Sequence, residues 1–194
     1  MALEYEIKLV PTQEKYFLLL EASAQEQGRH YDMETTYYDT PDRHLRRRSM
    51  TLRRRLENGV SVCTLKTPTG SAGRNEYELE APDIETAIPE LCRMAQEQAL
   101  LEILLEGVEP VCGAKFHRIS RDVMLTDGKL ELSLDRGVLM GGGKTQPLLE
   151  VELELKEGSP EGVIRNAQAL CAAYQFKEEK RSKYARAYAL AEGR

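Results

Sequence analysis

Two glutamates two residues apart, Glu4 and Glu6, open the chain and are followed by Lys8. On a helix these carboxylates would point roughly 200° apart and could not share a ligand. On a strand they fall on one face, about 6.6–6.8 Å from each other. Their neighbours decide the matter: Leu3, Tyr5, Ile7 and Leu9 alternate with Glu4, Glu6 and Lys8, a period of two. The alternation returns in Arg74, Glu76, Glu78 and Glu80, in Glu131 and Asp135, and in Glu150, Glu152 and Glu154. Arg53 and Arg55 share a face in the same way, and Lys66 stands near Thr64.

Carboxylate pairs at strand spacing suit Mg2+ or Mn2+, which take oxygen ligands and leave positions open for water and phosphate. Lysine and arginine suit phosphate oxygens, arginine in a bidentate manner. A single strand of this kind reads most plainly as the solvated side of an antiparallel sheet. The opposite faces, however, are strongly apolar (Leu3, Tyr5 and Ile7; Leu149, Val151, Leu153 and Leu155), and at least three amphipathic helices are available to cover them. The fold expected is therefore α+β: an eight-stranded antiparallel barrel with its charged face inward, helices outside, and two similar halves. Such a lumen repels itself when empty and is sensible around a polyanion bridged by divalent cations. That chemistry is phosphate transfer or hydrolysis.

The elements that must hold these residues follow from local signals. Pro11 and Thr12 open a helix carrying Tyr16, Leu19, Leu20 and Ala24, stopped by Gly28. A strand over 35–39 runs into the turn Asp39-Thr40-Pro41-Asp42. Residues 50–57 and 60–67 form a hairpin about Asn58-Gly59, and Thr69-Gly70-Ser71 turns into a strand over 73–81. Residues 83–106 read as a helix interrupted near Pro89. Strands are expected over 111–120, 122–126, 130–139 and 146–156, with Asp127-Gly128 as a hairpin signal. A helix starts at Ser159-Pro160-Glu161, and the basic segment 180–188 is helical. Gly141-Gly142-Gly143-Lys144-Thr145 ends like a phosphate-binding loop, but Val138 stands where its first glycine belongs and a strand follows, so a hairpin turn is expected.

The 194 residues suit one domain, 1–194, with 41% hydrophobic and 30% charged residues excluding disorder. A net charge of −5 argues against a sequence-independent nucleic-acid binder. No apolar run approaches a membrane span and no signal peptide is visible, so a cytoplasmic protein without membrane partners is expected. Cys63, Cys92, Cys112 and Cys171 are scattered, as are His30, His44 and His117; buried free thiols rather than a zinc site are expected.

Glu4-Tyr5-Glu6-Ile7-Lys8 resembles the E-x-E-x-K signature of the CYTH family, the triphosphate tunnel metalloenzymes. Further segments resemble the family's signatures in its order: Tyr37 to Asp42 its Y-x-D-T-P turn, Leu52-Arg53-Arg54-Arg55 its L-R-x-R, Thr64-Leu65-Lys66 its T-x-K, and Arg74 to Glu78 its R-x-E-x-E. Phe116-His117-Arg118 resembles F-x-R, Glu131 through Asp135 to Gly137 resembles E-x-x-x-D-x-G, Glu150 to Leu155 resembles E-I-E-L-E-L, and Ser182-Lys183 resembles S-K.

The resemblance implies an eight-stranded tunnel and metal-dependent hydrolysis of inorganic triphosphate or short polyphosphate. Alternatives within it are a thiamine triphosphatase and a class IV-type adenylate cyclase; a polyphosphate-binding module without catalysis is the alternative of another class. It implies Lys8, Arg53, Arg55, Lys66, Arg74, Arg118 and Lys183 as the phosphate clamp. Glu4 and Glu6 are implied as catalytic and metal-holding, with Asp135, Glu150 and Glu152 completing the set for Mg2+ or Mn2+, and Glu78 and Glu131 as ligands or their neighbours. Two positions depart from the family's pattern: Ser49 stands where a glycine is usual, and Arg54 where an apolar residue is usual. With Arg46, Arg47 and Arg48, Arg54 makes a basic outer patch, either simply solvated or steering polyanions.

Overall fold

A computed structural model describes residues 5–22, 28–69 and 74–193. Glu4, Ala24 and the turn residues Gly70, Ser71 and Gly73, all singled out above, lie outside the described residues.

The strands are β1 (Glu6–Val10), β2 (Arg29–Asp39), β3 (Thr51–Glu57), β4 (Val60–Pro68), β5 (Arg74–Glu80), β6 (Glu109–Leu125), β7 (Gly128–Gly141), β8 (Lys144–Glu157) and the two-residue β9 (Lys177–Glu178). The helices are α1 (Gln13–Ala22), α2 (His44–Arg47), α3 (Ile84–Ala95), α4 (Gln98–Leu105), α5 (Pro160–Tyr174) and α6 (Lys183–Ala191). All the strands join one antiparallel sheet in the order β5-β4-β3-β2-β6-β7-β8-β1-β9. The α+β antiparallel arrangement is the one expected, with eight long strands and a short ninth. Among the described residues the ladder ends at β5 and β9, so backbone hydrogen bonds do not close it.

Period-two alternation gives the sheet an apolar outer face, which two helix layers cover. Helices α3 and α4 bury Ile84, Leu91, Leu100 and Leu104 against Leu52, Cys63 and Leu65 of β3 and β4. Helices α1 and α5 bury Tyr16, Leu19, Val163 and Ala167 against Leu9, Leu132, Leu134, Val151 and Leu153. The third layer was not expected: α6 lies on the inner face, where Ala187 and Tyr188 pack on Cys112, Ala114, Leu139 and Leu148. Helices solely outside the sheet is thus corrected to two outer layers and one inner plug.

Local chemistry explains the elements. Asn58 and Gly59 both hold positive φ (50° and 88°), the turn that matches strand twist, as do Gly142 and Gly143 (58° and 72°) in the hairpin that only looked like a phosphate loop. Two expected strands, 111–120 and 122–126, are one continuous β6, because β7 pairs along its length from Cys112 to Leu125. Pro89 does not break α3; it lies on the exposed side, where the carbonyl it leaves unpaired meets water, and the break falls at Gln96 (φ 57°). The stretch after Pro41 contains α2, which was not expected.

The Asp39-Thr40-Pro41-Asp42 turn has a structural purpose. Buried Asp39 accepts hydrogen bonds from the backbone N–H of Thr40 (2.8 Å), Leu45 (2.9 Å) and Arg46 (3.0 Å). Asp39→Ala should orphan these donors and lower stability by about 1–3 kcal/mol or more, read from the urea midpoint; an unchanged midpoint would refute the role. Ser49 holds φ 56°, the left-handed region where glycine is free of strain. Ser49→Gly should therefore stabilise by about 0.5–1 kcal/mol, seen as a rise in Tm of about 1–4 °C. Gly137 is required by close approach: a Cβ there would stand 2.1 Å from the Lys115 carbonyl of β6.

Cys63, Cys92 and Cys112 are buried and Cys171 is half-buried, all as free thiols. Burial pushes the Cys112 thiol up to about 12 and Cys92 up to about 11, so neither is a nucleophile at neutral pH.

Candidate active site

Strand register stacks the charged residues of the inner face into neighbouring rungs. Arg118 of β6 pairs with Asp135 of β7, and Asp135 with Glu150 of β8. Glu152 pairs with Ser133 on one side and Lys8 of β1 on the other, while Glu154 lies between Glu131 and Glu6. On the other half, Arg53 of β3 pairs with Thr64, and Thr64 with Glu78; Lys66 of β4 pairs with Glu76.

The most enclosed part is a cluster of three carboxylates and three cations. Asp135 and Glu150 are fully buried. Lys183, from the first turn of α6, donates to Glu150 and to Glu152 (2.7 Å) and stands 2.8 Å from Asp135. The helix places it there because Ser182 caps α6, its Oγ accepting from the Ala185 N–H at 3.1 Å. Arg118 donates to both Asp135 oxygens at 2.7 Å, and also to Glu152. Arg186, one turn beyond Lys183, donates to Glu150. Arg186 was missed from the sequence; the available signal was its i,i+3 spacing from Lys183, which puts both on one helix face.

Burial and charge pull these groups in different directions. Burial pushes the Glu150 carboxyl up to about 7; Lys183 and Arg186 oppose the rise and the charge of Glu152 adds to it. Burial also works against ionised Glu152, but Lys183 and Arg118 outweigh it and hold that carboxyl well below the usual range. Lys183 and Arg118, despite their own burial, are held protonated above their ordinary values by the same carboxylates.

Oxygen atoms of Asp135, Glu150 and Glu152 lie within 4.8 Å of one another. Three hard oxygen donors so grouped fit Mg2+ or Mn2+. The formal charge of the cluster already sums to zero, so a dication would enter most readily together with an anion.

Facing the positive side of the sheet, Arg53 donates to Glu76 (3.0 Å) and, through Nε, to Thr64 Oγ1 (3.3 Å); Lys66 stands 3.0 Å from Glu76. Thr64 in turn donates to Glu78 (3.0 Å). Among the described residues Arg55 reaches only Thr35 Oγ1 (3.2 Å) and, at 3.4 Å, Glu57. Burial and the charges of Arg53 and Arg118 push the Arg55 guanidinium below its ordinary value. This is positive charge held out of water with little carboxylate near it, a surface that favours an anion.

Lys8 and Glu6 pair with each other at 2.6 Å on β1. Arg74 is exposed at the start of the edge strand β5, away from the enclosed cluster. Glu131 accepts from Arg29 at 2.7 Å. Of the arginines expected in an outer patch, Arg46 instead turns to α6 and lies 3.8 Å over the Tyr188 ring, while Arg47 pairs with Asp42, Arg48 stands 3.9 Å from Glu97, and Arg54 donates to Ser61 at 2.8 Å. Arg46 thereby latches α2 to α6.

An antiparallel sheet whose inner face alternates carboxylates with basic side chains, with α6 packed on that face, defines a class of charged-tunnel α+β folds. The chain belongs to the CYTH domain family, whose model matches residues 2–188. It is 31% identical over 139 residues to an inorganic triphosphatase of Haemophilus influenzae, covering 70% of this chain but 39% of that protein. The chain thus spans well under half the length of that curated relative. Among solved structures it is similar to a candidate adenylate cyclase from Bacillus halodurans, with a TM-score of 0.65, 18% identity and coverage of 93% and 94% of the two chains. It is also similar to a candidate adenylyl cyclase from Hippeastrum described as having a dominant triphosphatase activity, with a TM-score of 0.61, 17% identity and coverage of 100% and 97%. At these identities the two structures speak for the fold alone. No helix among the described residues is long and apolar enough to cross a membrane.

Proposed function

We propose that this chain is one tunnel domain that hydrolyses inorganic triphosphate or short polyphosphate with the help of Mg2+ or Mn2+. The observation that carries this reading is the inner face itself: a carboxylate trio, Asp135, Glu150 and Glu152, on the same face as the largely enclosed Arg55, whose guanidinium burial and neighbouring arginines push below its ordinary value. The likeness to a protein named as an inorganic triphosphatase supports it.

In this reading Arg53, Arg55, Lys66, Arg118 and Lys183 bind phosphoryl oxygens and offset the charge that grows on them during P–O cleavage, with Lys8 and Arg74 at the margins. Glu6 and Glu4 orient the attacking water, and a carboxylate of this face accepts its proton. Asp135, Glu150 and Glu152, with Glu4 and Glu6, would hold the divalent cation, which supplies Lewis acidity toward phosphoryl oxygen. At the enclosed groups, Asp135, Glu150 and Lys183, exclusion of bulk water makes such interactions stronger than at a surface.

Phosphate release from inorganic triphosphate, longer polyphosphate, ATP and thiamine triphosphate, each with and without EDTA, tests the proposal. Fast, EDTA-sensitive release from triphosphate over ATP is expected. Pyrophosphate and cyclic AMP from ATP would make the chain a cyclase, and preference for thiamine triphosphate would change the substrate. Thermal stabilisation by triphosphate without turnover would leave only a binding module. Because burial pushes the Glu150 carboxyl up to about 7, cation affinity should increase as the pH rises through the neutral range. Titrations of Mg2+ about one unit either side of neutrality check this; equal affinities would exclude Glu150 from the ligand set.

A further inference from the structure

Between the two outer helix layers runs an uncovered strip of β2 and β6, and it brings together two histidines that lie far apart in sequence. His30 Nδ1 and His117 Nε2 are 3.1 Å apart, and His117 Nδ1 is 3.0 Å from Asp32 Oδ1. We propose that His30 and His117 form a binding site for a late first-row divalent cation, Zn2+ or Cu2+, with Asp32 orienting His117.

The chemistry follows from the three residues. An ionised carboxylate can only accept, so in the neutral tautomer that donates from Nδ1 to Asp32 the His117 Nε2 lone pair faces His30. A carboxylate behind the distal nitrogen is the arrangement that fixes the tautomer and raises the basicity of a metal-binding imidazole. The separation of the two nitrogens also fits. Two nitrogens each about 2.0–2.1 Å from one ion stand about 3.1 Å apart when the angle at the ion is about 100°. Binding replaces the contact between the two rings: the His30 proton moves from Nδ1 to Nε2, and both rings turn so that their lone pairs converge on the ion. Imidazole nitrogen favours zinc and copper over magnesium, so this site and the oxygen-lined inner face select different ions.

The backbone beneath the pair is held in place. Asn58, in the β3–β4 turn, accepts from the Asp32 N–H at 2.7 Å through its side chain and donates to the His30 carbonyl at 3.1 Å. Access is open: the His117 side chain is 41% exposed and Asp32 88%. Both border a groove of about 580 Å3, leaving room for water or a further ligand. Arg136, the cross-strand partner of His117, lines the same groove, its guanidinium 5.6 Å from the Phe17 ring centroid.

Calorimetric titration of the untagged chain with Zn2+ in excess Mg2+ tests the proposal. The expected result is a site weakened at least about tenfold in His30→Asn and in His117→Asn, and about 10- to 100-fold in Asp32→Asn. Cu2+ bound to the wild type should show nitrogen hyperfine structure in its electron paramagnetic resonance spectrum, lost in His117→Asn. Zn2+ should raise the Tm of the wild type and not of the histidine variants, and Tm without zinc verifies that each variant folds. Isotherms that superpose for wild type and both histidine variants, or a copper spectrum without nitrogen coupling, would overturn the proposal. None of these readouts depends on hydrolytic activity.

Discussion

Lys183→Met should lower stability by about 3–5 kcal/mol and, for a chain of this size, Tm by about 6–20 °C. The ammonium is 6% exposed and is shared by Asp135, Glu150 and Glu152, two of which are fully buried. Removing it leaves the three carboxylates, among the described residues, with Arg118 and Arg186 as their cations, and an uncompensated buried charge costs far more than a surface pair contributes. The apolar part of methionine fills much of the vacated space, which separates the charge effect from a cavity effect. The variant carries its own control. With the ammonium gone the trio has a net negative charge, so Mg2+ should bind it more tightly and recover part of the lost Tm. A variant that melts with the wild type in EDTA would remove Lys183 from the cluster. Loss of Tm that Mg2+ leaves untouched would argue against the trio as a cation site.

Arg55→Met is expected to have the opposite signature. Its guanidinium is buried beside Arg53 and within reach of Arg118, with Thr35 and a distant Glu57 as its partners. Deleting it relieves repulsion, so the substrate-free protein should change by no more than about 0.5 kcal/mol. The same deletion removes a charged hydrogen bond to phosphate, worth about 1.5–3 kcal/mol, or a fall in kcat/KM of about 10- to 150-fold. Stabilisation by triphosphate in a thermal melt should fall with it. A variant that loses stability but keeps its kcat/KM would make Arg55 a structural residue. The pair of variants therefore divides the inner face into a half that holds itself together and a half held ready for an anion.

Much of this architecture was legible from local pattern. Period-two alternation fixes which residues share a strand face, so Glu150 with Glu152, Arg53 with Arg55, and Glu6 with Lys8 could be grouped before any fold was known. Turn chemistry is equally local: Asn58-Gly59 and Gly142-Gly143 adopt positive φ because few other residues do so without strain. Cap signals and apolar stripes located α5 and α6 to within a few residues and the start of α3, but not the point where 83–106 divides into α3 and α4.

What the sequence alone could not state is which faces meet. That α6 plugs the inner face, bringing Lys183 and Arg186 onto Glu150, depends on Ala187 and Tyr188 finding Leu139 and Leu148, a contact between distant segments. Pro89 sits inside α3 rather than ending it because the tertiary packing leaves its side of the helix in solvent. His30 and His117 become neighbours only because β2 pairs with β6 in one register, and the exchange of acceptors at Arg118, Asp135 and Glu152 arises in the same way. Periodicity is written in the spacing of residues along one strand. Strand order and register are chosen by the burial of the whole sheet, and the site's charges acquire their partners, their burial and their shifted protonation only there.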